Sequence, residues 1–156
     1  MKNKNFKIDN LIKNLSQFKE NNFIIGFTNG CFDLLHKGHL YLLLESKKRC
    51  DYLIVGLNSD CSIKSLKGES RPIDNESRRI AKLSEIDEVD AIIVFNEITP
   101  LELVKKIKPD ILFKGADYIN KDIVGKEFIL DNGGKIYLID ILAGYSTTNI
   151  INNSSN

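Results

Sequence analysis

Short runs rich in Ile, Val, Leu and Phe recur along the chain, separated by longer stretches whose apolar positions return every three or four residues. The runs predict strands at residues 23–28, 52–57, 91–95, 111–114 and 135–139. The stretches between them predict helices at 38–49, 75–86, 100–107 and about 121–130, with a leading helix near 9–20 and a closing one from Thr147. Thr99 followed by Pro100 reads as an N-cap with proline at the first helical position. Strand and helix alternating in this way predict an α/β fold: a Rossmann-like single domain, a five-stranded parallel sheet with helices on both faces. Residues 59–74, with Lys64, Lys67, Gly68, Arg71 and Pro72, show no clear period and read as a long loop.

Composition adds limits to this picture. A chain of 156 residues with 42% hydrophobic content suits one domain with a buried core. It divides into an N-terminal helical extension (1–22), the main domain (23–151) and a polar tail (152–156). Lys plus Arg number 22 against 21 Asp plus Glu, so a net charge of +1 gives no electrostatic reason to expect nucleic acid or an anionic membrane as partner. No apolar run approaches the roughly 20 residues of a membrane span, and the polar N-terminus has no signal-peptide core. Three spaced cysteines, Cys31, Cys50 and Cys61, suit reduced thiols, and the expected compartment is the cytoplasm.

Candidate chemistry centres on TNGCFDLLHKGH, residues 28–39, which links the first predicted strand to the next helix and holds both histidines of the chain. Ligands of open parallel sheets bind beyond the carboxyl ends of the strands. Asn29 and Gly30 suit unusual backbone conformations, and Gly38 would let a ligand approach the helix start, where backbone amides face an anion. His36 and His39, three apart on one helical face, could both donate to phosphate oxygens. Alone, the pair also fits a structural role or half a zinc site, although no third histidine or paired cysteine completes a zinc set, and no metal ligand is assigned. At the mouth of the sheet, both side chains are expected to contribute little to stability, roughly 0.5 kcal/mol or less.

The H-x-G-H element at 36–39 and the segment GYSTTNII at 144–151 resemble the two signatures of the cytidylyltransferase-like nucleotidyltransferases. The intermediate pieces YLIVGLNSD, SLKGESRPI, ITPLELVKKIKPDILFKGADY and NGGKIYLI are similar to the branch that makes ADP-heptose, often fused behind a sugar kinase. The resemblance implies an adenylyltransferase. It would pass AMP from ATP to D-glycero-β-D-manno-heptose 1-phosphate and release pyrophosphate, for lipopolysaccharide core or another surface glycan. It further implies Mg2+ carried mainly on the ATP phosphates, a separate sugar kinase acting upstream, and room for a homo-oligomer. Catalysis would fall to His36, His39 and Lys67. The nucleotide would be held by Thr28, Asn29, Gly30, Cys31, Phe32, Asp33, Gly38, Asn58, Asp60 and Arg79, with Arg78 as the alternative to Arg79. Further nucleotide contacts would come from Lys114, Gly115, Asp117, Tyr118, Tyr145, Ser146, Thr147 and Thr148.

Departures from the family pattern narrow the substrate. Ile141 stands where glycerol-phosphate cytidylyltransferases carry arginine, His36 where pantetheine-phosphate adenylyltransferases carry threonine, and Asn149 where many relatives have a basic residue. Archaeal-type FAD synthases and glycerol-3-phosphate-type cytidylyltransferases remain the alternative enzymes, and a catalytically silent nucleotide-binding module the non-enzymatic one.

Overall fold

A computed structural model describes residues 4–140. The expected closing helix, the tail, Tyr145, Ser146, Thr147, Thr148, Asn149 and Ile141 all lie outside the described residues. Five strands, β1 (Ile25–Gly30), β2 (Tyr52–Asn58), β3 (Ala91–Phe95), β4 (Ile111–Gly115) and β5 (Lys135–Ile139), pair in parallel in the order β3-β2-β1-β4-β5. This is the five-stranded parallel sheet that the alternation predicts. The chain moves outward from β1 through β2 to β3, then returns to the other side of β1 for β4 and β5. The order therefore reverses beside β1, and a crevice opens there at the carboxyl ends of β1 and β4.

Among the described residues six α-helices cover the sheet: α1 (Ile8–Glu20), α2 (Lys37–Lys47), α3 (Asp60–Lys67), α4 (Glu76–Ser84), α5 (Leu101–Ile107) and α6 (Lys126–Asp131). On one face Leu11 and Leu15 of α1, Leu103 and Val104 of α5 and Ile129 of α6 bury against Phe27, Ile54 and Ile93. On the other, Leu43 of α2 and Leu83 of α4 bury against Leu53, Val55, Ile92 and Phe113. Close approach between strands depends on two glycines: a Cβ on Gly26 would lie 2.6 Å from Phe113, and one on Gly56 would lie 2.7 Å from Phe27. Residues Lys4 to Phe6 add a short strap to the outer edge of β3, where the Ile92 amide donates to the Lys4 carbonyl (2.8 Å) and the Phe6 amide to the Ile92 carbonyl (2.9 Å). That strap covers part of an edge that would otherwise offer free backbone groups.

Several boundaries differ from the sequence expectation. The first strand begins two residues later and extends through Asn29 and Gly30, which pair with Gly56 and Leu57. They are strand residues, and the positive φ values fall instead on Phe32 (48°) and Leu34 (55°). The region read as a loop at 59–74 contains α3, begun by the Ser59 hydroxyl accepting from the Ser62 amide at 3.1 Å and anchored by buried Ile63. Only residues 68–74 form the connection onward to Asn75, the N-cap of α4. Pro100 occupies the cap position of α5 rather than its first turn, and α6 starts late, after Gly125 at a φ of 88°.

Candidate active site

The crevice holds a cleft of about 400 Å³ at the carboxyl ends of β1, β2 and β4. Asn29, Gly30, Cys31, Phe32 and Asp33 form its floor, and His39, Asn58, Lys67, Lys114 and Tyr118 its walls. The lip was not foreseen: Leu66, Ile98, Thr99, Pro100, Asp122, Ile123 and Val124 also line the opening. Most of them follow the ends of β3 and β4, the position that the crevice rule would have indicated.

His36 and His39 cap α2 reciprocally. Nδ1 of His36 accepts from the Gly38 amide at 3.0 Å, and Nδ1 of His39 accepts from the His36 amide at 3.3 Å. An Nδ1 that accepts leaves Nε2 as the free donor of each ring. The rings stack with centroids 3.9 Å apart, and His39 lies against Phe32, a buried ring, at 5.3 Å. Burial above all, then the neighbouring His36 and Lys67, pushes the His39 imidazole down from 6.5 to about 4. The expectation that Gly38 would turn its amide to an anion is thereby corrected, since that amide already bonds to His36. The histidines are also more than surface residues: side-chain caps typically contribute about 0.5–2 kcal/mol.

Asp33 shapes the floor of the cleft. Its side chain, only 5% exposed, accepts from the Ile73 amide at 2.8 Å and the Asp74 amide at 2.9 Å, and pairs with Arg71 at 3.3 Å. Burial would raise its pKa, but these two amides with Arg71 and Arg79 outweigh it and hold the carboxyl below its ordinary value. On the β4 side, Nζ of Lys114 sits 5.0 Å from the Tyr118 ring centre. Burial pushes its pKa down to about 8, which the nearby Asp117 carboxylate opposes only in part. A desolvated cation of this kind gains from any anion brought into the cleft.

The remaining expected residues are placed differently. Thr28 is 1% exposed within β1, and its Oγ1 is a buried side-chain oxygen with no hydrogen-bond partner. Gly115 and Asp117 lie at the end of β4 and in the short turn beyond it, outside the cleft lining. Arg79 was expected on phosphate, yet it is 0% exposed and its donors are engaged by carbonyls within the fold and by Asp60. Asp60 is held by that ion pair and is likewise absent from the lining. Arg78, the alternative, is exposed and reaches Asp74 at 3.6 Å.

These placements give a stability prediction with two parts. His36→Ala should lower unfolding free energy by about 1 kcal/mol at pH 8, where the cap is intact in the parent. Because the folded pKa of His39 lies below its ordinary value of 6.5, the unfolded chain binds the proton more tightly. Its stabilising share is present above pH 6.5 and is lost as pH falls toward about 4. Denaturant titrations at pH 8, 6 and 4.5 should show that decline in the parent and a shallower one in His39→Gln.

Known proteins agree with this architecture. Residues 27–153 match the cytidylyltransferase-like family. The chain is 47% identical over 146 residues to the bifunctional protein HldE of Rhodopseudomonas palustris (strain BisA53), covering 94% of this chain and 30% of that protein. It is 49% identical over 141 residues to HldE of Nitrobacter winogradskyi, covering 90% of this chain and 29% of that one. The chain thus spans about 30% of the length of the curated relatives it matches. Among solved structures, the lipopolysaccharide core biosynthesis protein of Thermoplasma volcanium superposes with a TM-score of 0.61 at 34% identity, covering 77% of this chain and 97% of that one. Pantoate-β-alanine ligase of Francisella tularensis shares the fold alone, with a TM-score of 0.58 at 19% identity over 81% of this chain and 64% of that one. The match to 27–153, spanning the strand–loop–helix element that carries the histidine cap, establishes that the chain belongs to the cytidylyltransferase-like family of nucleotidyltransferases.

Proposed function

We propose that this nucleotidyltransferase transfers AMP from ATP to D-glycero-β-D-manno-heptose 1-phosphate, giving ADP-heptose and pyrophosphate. The observation that carries the site reading is the reciprocal cap, which leaves Nε2 of His39 as a donor in a cleft that Lys67 and Lys114 also line, with the exposed His36 ring stacked on His39 just outside that lining. The choice of acceptor rests on the collinear motifs and on the identity to HldE proteins, with a relative named for lipopolysaccharide core biosynthesis in support.

In this reading an oxygen of the sugar phosphate attacks the α-phosphorus of ATP. The bond from that phosphorus to the bridging oxygen breaks, and the electron pair leaves with pyrophosphate. Negative charge grows on the non-bridging and leaving oxygens, where His39 and His36 donate from Nε2 and Lys67 and Lys114 supply positive charge. Neutral donors need no proton transfer in the step and no reorganisation, because the helix cap already fixes both rings. Magnesium would ride on the triphosphate and neutralise it. Asp33 is occupied by two amides and Arg71, and among the described residues no three His, Cys, Asp or Glu side chains converge as a ligand set. A sugar kinase would act upstream as a separate source of the 1-phosphate. Among the described residues no helix is long and apolar enough to cross a membrane.

Lys114 gives a binding prediction. With the Lys114 pKa pushed down to about 8 by burial, a bound triphosphate should raise it, so nucleotide binding at pH 8.5 should take up a proton. Calorimetry in buffers of different ionisation enthalpy measures this directly. Lys114→Met should abolish the uptake, whereas equal uptake in the variant would place the phosphates elsewhere.

Substrate identity is tested by a matrix of ATP and CTP against heptose 1-phosphate, glycerol 3-phosphate and FMN, scored by nucleotide-linked product. ATP with heptose 1-phosphate should lead. A tenfold preference for any other pair, about 1.4 kcal/mol in transition-state binding, would reject the assignment.

A further inference from the structure

We infer that Arg79 is a positioning residue, whose buried guanidinium holds the diverging ends of β1 and β2 so that the cleft floor and the histidine cap keep their geometry. The parallel ladder between these strands ends at the pair Gly30 and Leu57. Beyond it the chains separate, one into the loop before α2 and the other into α3. Cys31 and Asn58, the next residues of each strand, both line the cleft. Nη1 of Arg79 donates to the Cys31 carbonyl at 3.0 Å and to the Asn58 carbonyl at 2.6 Å, taking the place of one further rung.

The same side chain makes two more bonds. Nε donates to the Asp74 carbonyl at 3.0 Å, and Nη2 bonds the Asp60 carboxylate at 2.7 Å. Asp74 in turn gives its amide to Asp33, so the arginine and Asp33 grip residue 74 from its two sides. Three segments, at Cys31, at Asn58 with Asp60, and at Asp74, therefore meet at one planar group with no exposed surface. Lysine cannot substitute, because a single ammonium has no fork to span carbonyls on three separate segments. Losing the fork would leave buried carbonyls without donors, a penalty that favours local rearrangement. The loop beside them is ready to rearrange, since Phe32 and Leu34 already hold φ values of 48° and 55°.

The test combines amide exchange with kinetics, and only the kinetic arm rests on the proposed reaction. In Arg79→Lys, the His36 and Gly38 amides of the cap and the Ile73 and Asp74 amides on Asp33 should exchange at least about tenfold faster than in the parent, while amides of β5 do not change. Asp60→Ala, which releases one bond of the four, should accelerate the same amides by about threefold to tenfold. With whichever substrate pair the parent turns over best, Arg79→Lys should lower kcat by about 30-fold or more, with the nucleotide KM within about threefold. Unchanged exchange in either variant overturns the inference. So does a parent-like kcat with a raised nucleotide KM, which would make Arg79 a direct ligand. If Arg79→Lys does not fold, exchange in Asp60→Ala decides alone. A parent that turns over none of the pairs would defeat the substrate reading and leave the exchange result standing.

Discussion

A neutral imidazole has one donor and one acceptor, and the first turn of α2 uses the acceptor of both histidines. Gly38 bonds to His36 and the His36 amide bonds to His39, so the remaining nitrogens can only donate. The constraint joins folding to chemistry. The bonds that begin the helix also hold the two rings in their stack, with His39 in the wall of the cleft and His36 exposed beside it. Burial against Phe32 then disfavours a positive charge on His39, so the site offers hydrogen-bond donors rather than acids. Positive charge comes instead from lysines reaching in from the end of α3 and from β4.

Everything around the cap restricts how far it can drift. The switch in strand order places its loop at the end of the central strand, flanked by β2 and β4. Asp33 ties that loop to the segment before α4 through two backbone amides, and Arg79 ties the same segment to the ends of β1 and β2. Left-handed conformations at Phe32 and Leu34 are tolerated because this network over-determines the loop. Such preorganisation suits nucleotidyl transfer, in which no covalent enzyme intermediate is needed and stabilisation depends on where donors stand.

Much of this was legible in the sequence. β2 and β3 are runs rich in Ile, Val and Leu and buried on both faces, and such runs stand out against amphipathic helices. Two of the five strands, Ala91–Phe95 and Lys135–Ile139, fall where the pattern puts them. Ten of the residues singled out in the sequence line one cleft: Asn29, Gly30, Cys31, Phe32, Asp33, His39, Asn58, Lys67, Lys114 and Tyr118, while His36 lies outside its lining. Less legible was α3, because its Ser, Lys and Gly neighbours obscure a single buried Ile63. Arg79 was misplaced for a physical reason as well: arginines are mostly exposed, and nothing local announces carbonyls brought together by three other segments. The acceptor role of the two Nδ1 atoms also needed the fold, since helical spacing gives proximity but not the direction of a ring.

The histidine tautomer is the claim on which the chemical account depends, and long-range proton–nitrogen correlation spectra of the imidazoles read it directly. At pH 7 without ligand, His39 should give the pattern of a neutral imidazole protonated at Nε2 and keep it down to about pH 5, above its lowered pKa of about 4. An imidazolium pattern for His39 at pH 7, or its protonation at Nδ1, would contradict the cap and the neutral-donor site built on it.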